Sequence, residues 1–172
     1  MTVVINVALF QLGWFACVLG AAHGLPWIGP LAAVAIIAWH LAHATRRRPE
    51  LALAAGALLA GAIFDSLQLQ TGWIHFNAGV LIAGMAPIWM MSLWAIFATS
   101  LNVSLRWMRT RPGLAVILGA LGGPLAYYSG ARLGALSFTA VRPALAVIAL
   151  GWAVLTPALL AAARRFDGYA QP

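Results

Sequence analysis

From Met1 to Thr45 the chain carries no Lys, Arg, Asp or Glu, and over all 172 residues only 8% are charged while 63% are hydrophobic. A soluble core of this size cannot hide so much apolar surface. Runs of about 20 apolar residues are what a helix needs to cross the hydrocarbon of a bilayer. Six such runs follow one another: Val3 to Ala22, Trp27 to Thr45, Leu51 to Leu69, Val80 to Arg106, Gly113 to Ala131 and Pro143 to Ala163. Between them lie short stretches such as "HGLPWIGP", "RRRPE" and "TGWIHFN", rich in the residues that end helices. The expected fold is all-α and polytopic: a bundle of six transmembrane helices with short loops, forming one domain over residues 1–172.

Charge orients the bundle. All ten basic residues are arginines: Arg46, Arg47 and Arg48 follow the second run, Arg106, Arg109 and Arg111 the fourth, and Arg164 and Arg165 the sixth. Only Arg132 and Arg142 fall on the other side. The positive-inside rule then puts both termini in the cytoplasm of a bacterial cell, with the chain multi-pass in the inner membrane. The net charge of +7 arises from these loop clusters, which argues against a nucleic-acid partner. Trp27, Trp73, Trp89 and Trp107 sit near run ends, where indoles prefer the headgroup layer. The N-terminus lacks the basic segment of a secretory signal and is expected to remain as a helix. The lone Cys17 reads as a small buried hydrophobe.

Helices in lipid associate through small residues and polar pairs. Ala57 and Gly61 make a small-residue step that continues to Asp65, and Gly119 with Gly123 makes another, so the third and fifth helices are expected to pack together. Pro124 and Pro157 each remove a donor inside a helix and predict bends there.

Asp65 is the sharpest polar signal. An intramembrane acid costs about 2.5–3.5 kcal/mol on insertion scales and normally faces an interior or a partner. It stands about 22 Å along the helix from Glu50, in the outer part of the bilayer, with Gln68 on the same face. Arg132 lies at similar depth on the fifth helix, so an Asp65–Arg132 pair is expected, aided by a tyrosine hydroxyl. The plainer reading is a structural salt bridge; the functional ones are a lipid-headgroup or substrate site and a proton relay. Trp94 is too deep for the interfacial belt, so its N–H needs an internal acceptor or a ligand. On the first helix, Asn6, Gln11 and Trp14 are placed to answer Asn102. His40 and His43 lack further ligands for a metal and are expected at the interface beside the arginine triplet. No catalytic template is matched and no cofactor motif is present.

The stretches "FDSLQLQTGW", "PIWMMSLWAIFATSLNVSLRWM", "GGPLAYYSGARLGAL" and "NVALFQLGWFACVLGAA" resemble an uncharacterised inner-membrane family of Gram-negative bacteria, domain of unknown function 2878. The resemblance covers nearly the whole chain, including Asp65, Trp89, Trp94, Tyr128 and Arg132. It implies a small polytopic protein encoded near fatty-acid-modifying methyltransferases similar to cyclopropane synthases, and so a role in lipid modification or handling. The expected function is binding or presenting a lipid or other amphiphile in a cavity open toward the outer leaflet, lined by Asp65, Gln68, Trp89, Trp94, Tyr128 and Arg132. The alternatives are a small transporter or proton-coupled carrier that uses Asp65, and a scaffold for a lipid-modifying enzyme partner.

Overall fold

The computed structural model describes residues 2–169. Its six helices are α1 (Val3–Ala22), α2 (Ile28–His43), α3 (Arg47–Gln70), α4 (Ile88–Leu101), α5 (Pro112–Arg132) and α6 (Val141–Arg165), with a 3-10 turn at Arg106–Thr110. α1, α3, α5 and α6 are long and apolar enough to cross a membrane, whereas α2 and α4 are shorter apolar helices. The outward faces carry large aliphatic side chains, Leu31 at 70% and Leu150 at 69% exposure among them. Buried positions include Asn6, Asp65, Gln68 and Asn102. Apolar groups facing out over buried polar ones is the arrangement expected of a bundle surrounded by lipid.

The helix ends follow from local chemistry. The Thr2 hydroxyl accepts from Ile5 N–H to start α1, and Pro112 opens α5, where its missing N–H costs nothing. Gly72 and Gly134, both at positive φ, stand just past the ends of α3 and α5. The helices run through Pro124 and Pro157 without interruption.

The expected fourth span, Val80 to Arg106, is shortened to 14 residues. Gly79 and Gly84 adopt positive φ and Pro87 is extended, so Val80–Pro87 becomes an irregular segment with Val80, Leu81 and Ile82 exposed. At the other end the helix stops at Asn102, whose side chain is engaged by Glu50 and the Phe166 carbonyl. α4 is about 21 Å long at the helical rise, yet it is the axis of the bundle, packed against α1, α2, α3 and α6.

The expected partnership of α3 with α5 is not what forms. α3 packs on α4 and α5 on α6, while α3 and α5 barely touch. The small-residue steps receive other groups: the Trp94 ring of α4 lies over Gly61 and the Trp152 ring of α6 over Gly123, while Gly119 meets the Trp152 carbonyl and the Thr156 side chain. A flat ring needs a shallow groove, and a glycine provides one as well for an aromatic neighbour as for a bare backbone.

One feature is new to the architecture. The segments after α3 and α5 pair as antiparallel strands, β1 (Ile74–Phe76) and β2 (Leu136–Phe138), with Ile74 opposite Phe138 and Phe76 opposite Leu136. Ile74 and Phe76 point inward while His75 is exposed. The Asn77 side chain donates to the Gly134 carbonyl at 2.8 Å. This ribbon caps one end of the bundle. The opposite end gathers the start of α1, the end of α4 and the segment after α6, as the contacts of Asn6 with Thr99 and Ser104 and of Arg46 with Gly168 require.

Candidate functional site

Asp65 is fully buried, and its partners are not the expected ones. The Trp94 indole N–H donates to Oδ2 at 2.7 Å and the Tyr127 hydroxyl donates to Oδ1. Arg132 is exposed and makes no ion pair among the described residues. The reason is helical phase. The buried stripe of α5 is Ala115, Gly119, Gly123, Tyr127 and Gly130, steps of three and four that keep one face. Tyr128 is one position round, 46% exposed, and Arg132 falls off the same stripe. Tyr127, not Tyr128, reaches the acid. Of the six expected lining residues, Asp65, Gln68, Trp89 and Trp94 are therefore buried together and Tyr128 and Arg132 lie outside. The Trp89 indole donates to the Ala78 carbonyl at 2.9 Å, while the Gln68 amide nitrogen has no partner.

Trp94 stacks on Trp152 with ring centroids 4.5 Å apart. Around them Phe10, Trp14, Trp89 and Tyr127 enclose a small apolar cavity of about 60 Å³. The same aromatic wall then faces a much larger groove of about 610 Å³ between α1 and α5, two helices that barely touch. Phe10, Gln11 and Trp14 line its α1 side, Gly119, Gly122 and Gly123 its α5 side, and Ser100, Trp152 and Thr156 its floor. It extends to Ser104, Leu105 and Trp107, so it lies toward the 3-10 turn rather than toward Arg132 and the ribbon, where the sequence placed a cavity. The hydroxyls of Ser100 and Thr156 and the indole N–H of Trp152 are buried without a hydrogen-bond partner. Trp152 faces the Tyr127 hydroxyl but not within hydrogen-bond geometry. Buried polar atoms are nearly always satisfied, so the two open hydroxyls of Ser100 and Thr156 along one groove single it out.

A second polar assembly sits at the end of the bundle that holds the chain's last described residues. His40 is not at the interface but buried, its Nε2 at 2.7 Å from Glu50 Oε2; of that pair His43 alone is exposed. Glu50 Oε1 accepts from Asn102 at 2.5 Å and from Gly168 N–H at 2.7 Å. The Tyr169 hydroxyl donates to the His40 carbonyl at 2.7 Å. Asp167 accepts from Arg106 at 2.9 Å and Arg109 at 2.8 Å. Burial of Asp167 opposes its ionisation, but the hydrogen bonds from Arg109 and the Tyr169 N–H and the charges of Arg109 and Arg106 prevail, holding its carboxyl below the ordinary range. Burial and the nearby Glu50 charge push the Tyr169 phenol up to about 12. Asn102 is thus answered by Glu50, while Asn6 serves the neighbouring Thr99 carbonyl at 3.1 Å and Ser104 N–H at 3.3 Å.

Among the described residues no three His, Cys, Asp or Glu side chains converge as a metal site would require. Sequence reasoning placed Tyr127 and Tyr128 at the depth of Asp65 but chose Tyr128, and it missed Ser100, Trp152 and Thr156. Trp152 had a usable signal, since it is as far from a helix end as Trp94 and needed a partner for the same reason.

A family model described as a protein of unknown function (DUF2878) matches residues 3–158. No curated protein and no solved structure matches the chain.

Proposed function

From the premise that the chain belongs to the DUF2878 family, whose description carries no activity, we propose that it is a multi-pass protein of the bacterial inner membrane that binds or presents an amphiphile in the groove between α1 and α5. The carrying observation is that groove: about 610 Å³, within the range of small-molecule sites, with aromatic and glycine walls and two unpartnered hydroxyls, Ser100 and Thr156, in its floor. Its size and walls suit a lipid chain, and Gly122 leaves its side open.

All six helices are taken to lie at membrane depth. α4 needs no full crossing length, because protein rather than lipid surrounds it. Eight arginines cluster at the end holding the 3-10 turn, the start of α1 and residues 166–169, and the positive-inside rule makes that end cytoplasmic. The groove then opens in the cytoplasmic half of the bilayer. An accessory role toward an enzyme that modifies membrane acyl chains follows from the family resemblance and fits a protein that presents a lipid. The carrier reading retains support in Asp65, which is buried against the small cavity's Trp94 and Tyr127 and meets no cation.

Gly122 supplies the test. It lines the groove, and a Cβ added there meets nothing within 4 Å. Native mass spectrometry of protein released from mild detergent should find a lipid-mass adduct on the wild type and lose it in Gly122→Leu. An adduct retained in full by the folded variant would place the ligand elsewhere.

A further inference from the structure

The groove has a chemical character beyond its volume: no Asp, Glu, Lys, Arg or His lines it. Its polar members are Gln11, Ser100, Ser104, Ser129, Thr156 and three indoles, Trp14, Trp107 and Trp152, all uncharged. An ionic headgroup drawn inside would be a desolvated charge with no counter-ion, at a cost of several kcal/mol. An uncharged oxygen would meet the opposite situation. The Ser100 and Thr156 hydroxyls can donate or accept. Both are buried without partners, each 3% exposed. Trp152 and Thr156 are four residues apart on α6 and share a face; Thr156 Oγ1 lies against Gly119 and the Trp152 ring against Gly123, neither of which has a side chain to cover it.

We infer that the ligand's polar part is an uncharged oxygen, an ester carbonyl or hydroxyl on a long hydrocarbon chain. The ligand class is a glyceride or long-chain alcohol rather than a free fatty acid or a phospholipid seated by its phosphate. The Ser100 and Thr156 hydroxyls supply its hydrogen bonds, and the chain lies along Phe10, Trp14 and Phe97. This deepens the groove reading and rests on it.

Tryptophan quenching tests the two separately. Purified protein in neutral detergent is titrated with brominated diacylglycerol, brominated phosphatidylglycerol and brominated oleate, the last kept ionised at about pH 9. Saturable quenching by the diacylglycerol is expected at concentrations at least about ten-fold lower than for either anion. Ser100→Ala with Thr156→Val should weaken it by roughly five-fold, and Thr156→Ser, which keeps the hydroxyl, should bind as the wild type does. Equal affinity for an anionic lipid, or no loss in a folded double variant, overturns the uncharged-oxygen assignment while the groove stands. Should Gly122→Leu leave quenching by every lipid unchanged, or the wild type show no saturable quenching, the groove reading fails and this inference with it.

Discussion

The two polar regions of this bundle are built to opposite rules. At the terminal end, Glu50 and Asp167 each gather several donors, so that α2, α3, α4, the 3-10 turn and residues 166–169 are tied together. Only Asn102 Oδ1 and Arg109 Nε stay open there. In the groove the order is reversed: the hydroxyls of Ser100 and Thr156 are buried and nothing in the protein answers them. Leaving a buried polar group unmade costs about 1–3 kcal/mol, an expense that a purely structural contact would have avoided by using an apolar residue. The end cluster ties the fold together, and the proposed ligand would answer the groove's open hydroxyls.

That contrast can be broken from either side. Glu50→Ala should have the largest effect, because it strands His40, Asn102 and the Gly168 N–H at once. A loss of about 3–5 kcal/mol is expected for removing one member of a buried pair, visible as a large fall in thermal midpoint in detergent. Asp65→Leu comes next. It leaves the Trp94 and Tyr127 donors without an acceptor, and a destabilisation of about 2–4 kcal/mol should appear in the same assay. The Asp167 anchor should respond to pH. A carboxyl held below its ordinary range adds stability at pH above the unfolded value of about 3.9, and that stability goes as pH falls through the lower folded value. Protease cleavage near residues 166–169 should therefore stay slow at neutral pH and speed up only below the usual carboxylate range.

The groove variants should barely disturb stability. Gly122→Leu places a better helix former at an open position and should raise the stability of ligand-free protein by about 0.5–1 kcal/mol while abolishing lipid retention. Arg132→Gln should shift stability by less than about 0.5 kcal/mol, since its guanidinium pairs with nothing among the described residues. A large loss in that variant would restore the Asp65–Arg132 pair expected from the sequence.

The sequence carried the helical layout because the length of an apolar run acts on a whole segment. It placed Asp65, Gln68 and Trp94 inward for the same reason that the structure does: an acid in lipid must find partners. It failed where the answer depended on which face of a second helix turned inward. Depth alone selected Arg132 and Tyr128, whereas the phase set by Gly119 and Gly123 selects Tyr127. It also paired α3 with α5 by their glycines, because a small-residue step does not say whether a backbone or an indole will fill it. The ribbon of β1 and β2 was hidden by distance, since "WIHF" and "ALSF" are each too short to declare a strand alone and become one only together. His40 and Glu50 were separated in the reading by the arginine triplet, which drew attention to charge at the surface and away from a buried pair beneath it.

The most direct test is to photolabel the protein in bilayers with a diazirine-bearing diacylglycerol and map the adducts by peptide mass spectrometry. The account predicts labels concentrated on the inward residues of the groove, Phe97, Ser100 and Trp152 in particular, and lost in Gly122→Leu. Labels spread over the outward aliphatic faces at Leu31 and Leu150, with none on α4 and no response to Gly122→Leu, would contradict it.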